Sequence, residues 1–353
     1  MRTKTTRLSW LAACMGLALV LSLGLAACGS SDDNTSGKST AAGSGEGGGA
    51  IASNPANGKV TLTIGSKNFA ESEITGEIYA QALEAAGYKI KTDLGLGSET
   101  IALKTLKQGE ISGYPEYTST TLESLFSLEP GEVPADAQSA YEKAKAELEK
   151  DGLTAFPPTP FSSANAVGTT TKFAEEEGLE TVSDLEGKSE SMSLYGSPEC
   201  RQRIDCLAGL EKYYGLKFKS FHPVDIGLRY TVLEKGQADL SILFTTDPQL
   251  SAEKDKFVIL EDDKQVFPAG NVIFITDQST AKKAGPDYEK TIVAVQKGLT
   301  LPVVQELNAR VELEKKSAKQ VAGEYLKSAG AVGEGVGAGG RGGGGRGGGG
   351  GGG

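Results

Sequence analysis

The sequence is poor in the residues that enzymes and metal sites usually use. It has one histidine, His222, and four cysteines among 353 residues. It also lacks the Gly-x-Ser-x-Gly, P-loop and His-Glu-x-x-His motifs, so hydrolase, nucleotide-binding and zinc-protease chemistry have no local signature here. His222 stands between Phe221 and Pro223 after a strand-like stretch, which favours a loop or core position over the role of a general base. We therefore predict a protein that is not an enzyme and that uses no cofactor and no metal.

Positive charge is also scarce. The chain has 36 Lys and Arg against 46 Asp and Glu, and the net charge of −10 argues against nucleic acid as a partner. The glycine-rich C-terminal end contains only Arg341 and Arg346, which we interpret as part of a low-complexity end and not as an RNA-binding segment. The acidic run at 261–263 lacks the spacing and the glycine of an EF-hand and is interpreted as a solvated turn.

The one long apolar run lies at the N-terminus. Three basic residues precede the run from 8 to 27, as in the charged and apolar regions of a signal peptide. The run ends in Leu-Ala-Ala-Cys at 25–28, which resembles a bacterial lipobox. We predict a signal peptide over residues 1–27 and a Cys28 that carries acyl chains such as palmitate, which would hold the protein on the extracytoplasmic face of the cell membrane. A plain transmembrane anchor and an unmodified cysteine after a secretory signal would also fit this pattern.

Glycine is abundant but unevenly distributed. Of the 48 glycines, 16 follow residue 330, and residues 29–58 form a second stretch rich in Gly, Ser, Asp and Asn. Such compositions supply too little apolar surface for a core. We predict a flexible tether over residues 28–58, a folded body over 59–330 and a disordered tail over 331–353.

Two cysteines remain for the body once Cys14 and Cys28 are assigned to the signal peptide and the lipid anchor. Cys200 and Cys206 lie close together in an exported chain, where a local disulfide is the simplest outcome. Two free buried thiols would fit the same spacing. The single tryptophan, Trp10, leaves with the signal peptide, so the mature protein has no tryptophan with which to surround a ligand.

The body alternates strand and helix patterns, which predicts an α/β protein with a largely parallel sheet. A proline-rich stretch at 157–160 and Phe-Pro-Ala-Gly at 267–270 interrupt the alternation. Two interruptions that bracket a middle segment predict two α/β lobes, joined by a double-crossover hinge, with a ligand cleft between them. The first lobe would combine residues 59–162 and 271–330, and the second would contain residues 163–270. Two consecutive domains would give a similar pattern.

Six short motifs follow one another in a characteristic order. They occupy residues 64–69, 94–98, 114–120, 227–230, 245–247 and 260–264. In this order they resemble the osmoprotectant-type substrate-binding proteins of ABC importers, which serve glycine betaine, choline, carnitine or proline betaine uptake. Tyr-Pro-Glu-Tyr-Thr at 114–118 is the most specific piece, and the resemblance spans about residues 60–328. It implies the type II periplasmic-binding-protein fold and delivery of the ligand to a permease that a separate ATPase subunit drives. We expect a monomer.

The resemblance also implies a set of ligand-binding residues. Polar contacts to a carboxylate or hydroxyl of the ligand would come from Lys67, Thr120 and Arg203. Aromatic contacts to its quaternary ammonium would come from Tyr117 and from Phe244, which stands where relatives have a tyrosine. Aromatic faces suit such a cation because it has no N–H donors and its charge is spread.

Two further aromatic positions of the relatives are not aromatic in this chain. They correspond to Asn165 and to Gly270, which precedes Asn271. Either neighbouring rings rebuild the cage, or the ligand is more polar and is bound by the amides of Asn165 and Asn271. The candidate rings are Tyr195, Tyr230 and Phe267.

The predicted function is therefore an extracytoplasmic solute-binding lipoprotein that captures a quaternary ammonium osmoprotectant. The same scaffold could instead bind a different, more polar solute. An exported two-lobed enzyme, or a structural or signalling lipoprotein, would also be compatible with a two-lobed exported chain, because a fold does not fix a function.

Overall fold

The computed structural model describes residues 50–332, within which the chain forms eleven β-strands and twelve α-helices. The strands are β1 (Thr61–Gly65), β2 (Lys89–Asp93), β3 (Gly113–Tyr117), β4 (Leu153–Phe156), β5 (Ser162–Ser163), β6 (Asn165–Thr170), β7 (Ser193–Gly196), β8 (Ser220–Pro223), β9 (Leu240–Phe244), β10 (Phe257–Ile259) and β11 (Gly270–Asp277). The helices are α1 (Ala70–Ala85), α2 (Glu99–Lys107), α3 (Thr118–Thr120), α4 (Ala137–Lys150), α5 (Thr171–Glu177), α6 (Leu207–Tyr213), α7 (Arg229–Glu234), α8 (Gln249–Ala252), α9 (Gln278–Ala284), α10 (Pro286–Gln296), α11 (Leu301–Glu312) and α12 (Ala318–Ser328). The predicted α/β class is confirmed.

The strands form two separate sheets. Sheet I has the order β2-β1-β3-β11-β4, with β5 paired to β11, and sheet II has the order β10-β6-β9-β7-β8. Both sheets are mixed, which differs from the largely parallel sheet that the alternating pattern predicts. The antiparallel pairs involve β11 in sheet I and β6 in sheet II. These are the strands by which the chain enters each sheet from the other one, so they run against their neighbours.

Each sheet has its own core. In sheet I the helices α1, α10 and α12 cover one face, where Tyr79 and Tyr288 meet Phe274 edge-on with ring centroids 5.4 and 5.7 Å apart. The other face of sheet I packs around Tyr114 against α2 and α4. In sheet II a disulfide between Cys200 and Cys206, with Cα atoms 5.2 Å apart, lies within the core.

The chain crosses between the sheets twice, and the two crossings are paired with each other. The first crossing contains β5 and leads into β6, and the second leads into β11. The start of β11 pairs with β5 in an antiparallel register, Gly270 opposite Ser163 and Asn271 opposite Ser162. The two crossings therefore form a short two-stranded ribbon.

Packing begins within the segment predicted as a tether. Asn54 caps a 3₁₀ helix over Pro55–Lys59, and the side chains of Asn54 and Asn57 donate to Asp287 at 2.8 and 3.2 Å. The backbone N–H of Ile51 donates to the carbonyl of Ala331 at 2.9 Å. The predicted boundaries at residues 58 and 331 therefore fall inside a packed region, because these polar side chains and backbone groups find partners on the body.

The predicted signal peptide, the lipidated Cys28 and the tail beyond residue 332 lie outside the described residues. Among residues 50–332, no helix combines the length and apolarity needed to cross a membrane.

Candidate ligand-binding cleft

A cleft that is partly open to solvent lies between the two sheets. Its lining residues fall within 67–69, 97–99, 117–120, 163–165, 197–206, 226–229 and 242–244, and Pro268 completes the set. Several of these segments follow the carboxyl ends of β1, β3, β7 and β9. Open α/β sheets bind ligands at this end of their strands.

Three aromatic rings form one wall of the cleft. Tyr117 ends β3, Phe69 immediately precedes α1, and Phe244 ends β9 in sheet II. The ring centroid of Phe69 lies 6.3 Å from that of Tyr117 and 5.5 Å from that of Phe244. The hydroxyl of Tyr117 donates to the buried carboxylate of Glu71, which fixes the orientation of this ring, and burial raises the pKa of Tyr117 well above its ordinary value. The wall is thus built from both sheets.

Cations of the protein already lie over these rings. The ammonium of Lys67 is 4.7 Å from the ring centroid of Tyr117 and 5.4 Å from that of Phe69. The guanidinium carbon of Arg229 is 4.0 Å from the ring centroid of Phe244. These distances are in the range of cation–π attraction, so the wall presents aromatic faces that stabilise positive charge.

Two of the cations that line the cleft are neutralised by buried carboxylates. Lys67 forms an ion pair with Glu116, whose side chain is fully buried in β3. Burial raises the pKa of Glu116, while Lys67 and the backbone N–H of Tyr117 oppose that rise. Arg229 forms an ion pair with Asp247 at 2.9 Å.

The third cation, Arg203, lies at the polar side of the cleft. Its Nε donates to Asp205 at 2.7 Å and its Nη2 contacts the second oxygen of the same carboxylate. Its Nη1 lies 3.2 Å from Oε2 of Glu99, which comes from the first turn of α2, and its Nη2 donates weakly to Thr120 Oγ1 at 3.4 Å. Arg203 therefore links the sheet II side of the cleft to two groups from the sheet I side.

Comparison with known proteins agrees with this geometry. Residues 60–328 match the family described as the substrate binding domain of ABC-type glycine betaine transport systems. The chain belongs to this family. Membership confirms the predicted role as the substrate-binding component of an ABC transporter, and the family is one of transport proteins.

Individual relatives support the assignment. The chain is similar to the glycine-betaine-binding protein of Pseudomonas aeruginosa, with 32% identity over 279 residues that cover 76% of this chain and 87% of the relative. It is also similar to an ergothioneine transport permease/ergothioneine binding protein of Helicobacter pylori, with 29% identity over 76% of this chain, but it spans only 48% of that relative's length.

A solved glycine betaine/carnitine/choline ABC transporter protein has a TM-score of 0.59 and 26% identity, and the match covers 76% of this chain and 98% of that one. This likeness confirms the predicted type II periplasmic-binding-protein fold.

Six of the residues predicted to bind ligand in this family member lie at the cleft. They are Lys67, Tyr117, Thr120, Asn165, Arg203 and Phe244. The side-chain amide of Asn165 donates to the backbone carbonyl of Asp205 at 2.8 Å, so part of its hydrogen-bonding capacity is used within the protein. Their contacts with a ligand stay a prediction.

Asn271, which is also predicted to bind ligand, is not among the residues that line the cleft. Its side chain is buried in β11, and its amide nitrogen donates to the carbonyls of Thr159 and Phe161, both at 3.0 Å. The backbone N–H of Asn271 donates to Thr118 Oγ1 at 3.1 Å. The side-chain amide nitrogen of Asn271 therefore holds the first crossing in place, and a contact of Asn271 with a ligand stays a prediction.

Gly270 cannot be replaced by an aromatic residue in this backbone arrangement. A Cβ at this position would lie 2.3 Å from Ser119 Oγ and 2.9 Å from the Ser119 backbone nitrogen. The aromatic ring that the family resemblance implies at this position has no room, so matching residue types position by position does not describe the aromatic wall of this cleft.

None of the rings suggested as replacements lines the cleft. The half-buried ring of Tyr195 lies against His222 in a tilted arrangement, with ring centroids 4.8 Å apart. The hydroxyl of Tyr230 donates to Asp247 at 3.0 Å, and Phe267 is buried in the sheet II core. The ring that joins Tyr117 and Phe244 in the wall of the cleft is that of Phe69, which is not among the predicted binding residues. The sequence contains a signal for it, since Phe69 closes the motif at 64–69 only two positions after Lys67.

Proposed function

We propose that this protein is the extracytoplasmic solute-binding subunit of an ABC importer and that it captures a quaternary ammonium osmolyte, with glycine betaine and choline as the reference compounds. The observation that carries this proposal is the aromatic wall of Phe69, Tyr117 and Phe244. A trimethylammonium group has no N–H to donate, so aromatic faces are its best partners, each contributing about 0.5 to 2 kcal/mol.

The same wall explains how binding would favour closure. Phe69 and Tyr117 belong to segments of sheet I, whereas Phe244 belongs to sheet II. A ligand that touches all three rings can do so only when the two sides of the cleft are close together. Binding energy is then available to shift the population towards the closed form, which a permease can distinguish from the open one.

The remaining parts of the proposal concern location and partners. Acylation of Cys28 would hold the protein at the extracytoplasmic face of the membrane, where the permease is within reach, and an ATPase subunit would supply the energy. We propose that the mature protein acts as a monomer.

The test is isothermal titration calorimetry and thermal unfolding of the mature protein with glycine betaine, choline, carnitine and ergothioneine, and with proline and ectoine as compounds without a trimethylammonium group. A ligand at one hundred times its dissociation constant stabilises the folded state by about 2.7 kcal/mol. Stabilisation by at least one trimethylammonium compound, with no conversion to product, supports the proposal.

A matched pair of variants identifies the site. Phe244→Ala removes one ring of the wall and is expected to weaken binding by roughly 3- to 30-fold. Tyr195→Ala removes a ring from the same sheet outside the cleft and should leave affinity unchanged. Equal effects of the two substitutions, or no response of the wild type to any trimethylammonium compound, would overturn the assignment.

A further inference from the structure

The charged groups of the cleft suggest a preference among quaternary ammonium compounds. Each cation that lines it, Lys67, Arg203 and Arg229, already meets a protein carboxylate. The carboxylate of a zwitterionic betaine is stabilised by a cation or by N–H and O–H donors, whereas choline carries no negative charge. The ion pairs at the cleft therefore bear directly on which ligands fit.

Arg203 is the cation most accessible to a ligand carboxylate, and its bonds limit how such a group can approach. Asp205 occupies the Nε and Nη2 edge with both of its oxygens, in the bidentate arrangement that is frequent in pairs of arginine and carboxylate. Glu99 faces Nη1 at 3.2 Å. A ligand carboxylate on the Nη1 side would have to displace Glu99 or lie beside it.

Glu99 is well placed to repel a second negative charge. Only 3% of its surface is exposed, and it lines the cleft at the start of α2. Water screens charges poorly at such a site, so a carboxylate held next to Glu99 is disfavoured. A hydroxyl group at the same place would instead donate a hydrogen bond to the Glu99 carboxylate.

We propose that Glu99 determines the charge preference of the cleft, so that the site favours a quaternary ammonium alcohol such as choline over zwitterionic betaines. This inference rests on the proposed function, because it assumes that a trimethylammonium group lies against the aromatic wall. With a ligand that has no carboxylate, such as choline, the carboxylate of Glu99 would remain the partner of Arg203 on the Nη1 side.

The experiment compares the dissociation constants of choline and glycine betaine for the wild type and for Glu99→Gln by calorimetry. The wild type should bind choline at least about tenfold more tightly than glycine betaine, and Glu99→Gln should shift this ratio at least about tenfold towards glycine betaine. Glu99→Asp keeps the charge and should keep the preference for choline. Thermal unfolding of each variant checks that the fold is intact.

Glu77→Gln is the matched control. Glu77 is a buried glutamate of α1 that accepts from Gln81 at 2.9 Å, and it lies outside the cleft. Its neutralisation should leave the choline to glycine betaine ratio unchanged. An unchanged ratio in Glu99→Gln, an equal shift in Glu77→Gln, or tighter binding of glycine betaine by the wild type overturns the role of Glu99 while the proposed function stands. If the wild type binds no quaternary ammonium compound at all, both proposals fall.

Discussion

Among the contacts that connect the sheet I side of the molecule to the sheet II side, two sets differ in burial. The inner set consists of Glu71, Asn308 and Thr246, all at most 4% exposed. The amide of Asn308 donates to Glu71 Oε2 at 2.7 Å and to the carbonyl of Thr246 at 3.2 Å. The rim set consists of Glu129 with Lys212 and Tyr213, and its ion pair, 2.7 Å long, is about half exposed.

In both sets one carboxylate accepts hydrogen bonds from two side chains, but the buried carboxylate of Glu71 and the exposed carboxylate of Glu129 have different roles. In the inner set, burial raises the pKa of Glu71, while the hydroxyl of Tyr117 and the amide of Asn308 oppose that rise. Glu71 thus orients the ring of Tyr117 and also accepts from Asn308, whose amide in turn donates to the carbonyl of Thr246 on the sheet II side. In the rim set, water and salt weaken the attraction, and none of the three residues lines the cleft. We therefore expect the inner set to couple ligand binding to stability and the rim set to contribute little.

The largest effect is expected from Asn308→Ala. It leaves Oε2 of the buried Glu71 without its amide donor, which should lower the free energy of unfolding by about 2 to 3 kcal/mol in urea titrations. Gln320→Ala is the matched control, because it removes an amide donor 2.8 Å from the carboxylate of Glu324 on the exposed surface of α12. Similar losses in the two variants would show that burial is not what distinguishes the inner set.

The free energy of unfolding should depend on pH through the protonation of Glu312. This residue lies in the same helix as Asn308 and accepts from Gln249 at 3.2 Å. Burial raises the pKa of Glu312 to about 7; the charges of Asp247 and Glu71 add to the rise, and that of Arg229 opposes it. In the unfolded chain a glutamate releases its proton near pH 4.3, so between these values the native state holds more protons and stability falls as pH rises.

The wild type should therefore lose about 2 kcal/mol of unfolding free energy relative to Glu312→Gln between pH 5 and pH 8. Chemical denaturation at each pH measures this difference. Glu314→Gln, at a neighbouring exposed position, serves as the control and should track the wild type. A wild type and Glu312→Gln that keep a constant difference across this range would contradict the prediction.

A smaller loss is expected from Tyr117→Phe. The ring stays in the aromatic wall, but the hydrogen bond to Glu71 disappears, which should cost about 1 kcal/mol of stability. Affinity for a quaternary ammonium compound should fall less than in Phe244→Ala, because the aromatic face is retained. A greater loss of affinity than of stability would mean that the hydroxyl itself contacts the ligand.

No measurable change is expected from Glu129→Ala. The ion pair with Lys212 is exposed, and such pairs contribute little to stability. Thermal unfolding at low and high salt should give the same midpoint as the wild type within error. A clear loss that disappears at high salt would show that the rim set matters more than its exposure implies.

Local sequence patterns predict much of the fold. The helices α1, α4, α10, α11 and α12 follow from their apolar spacing and from the residues that begin and end them. Strand β3 does not follow from its sequence, because Pro115 stands in its middle and proline is rare within sheets. Here Pro115 pairs only with β11, and β1 contacts β3 at Gly113.

The candidate site is less predictable than the fold, for reasons of packing. The lack of space at Gly270 depends on Ser119, and the position of Asn271 depends on the carbonyls of Thr159 and Phe161. The ion pair between Glu99 and Arg203 joins residues that are distant in the sequence and that lie on opposite sides of the cleft. Motif order can indicate which segments form a cleft, but the contacts of their side chains require the three-dimensional arrangement.

The pairing of Gly270 with Ser163 and of Asn271 with Ser162 has a mechanical consequence. If the two crossings were independent single-chain linkers, the two sides of the cleft could twist relative to each other as well as bend. A hydrogen-bonded ribbon resists shear between its strands, so bending becomes its softest deformation. The distance between two dyes placed on opposite sides of the cleft would then follow this bending motion alone, which would suit the scaffold to conversion into an optical sensor for its ligand.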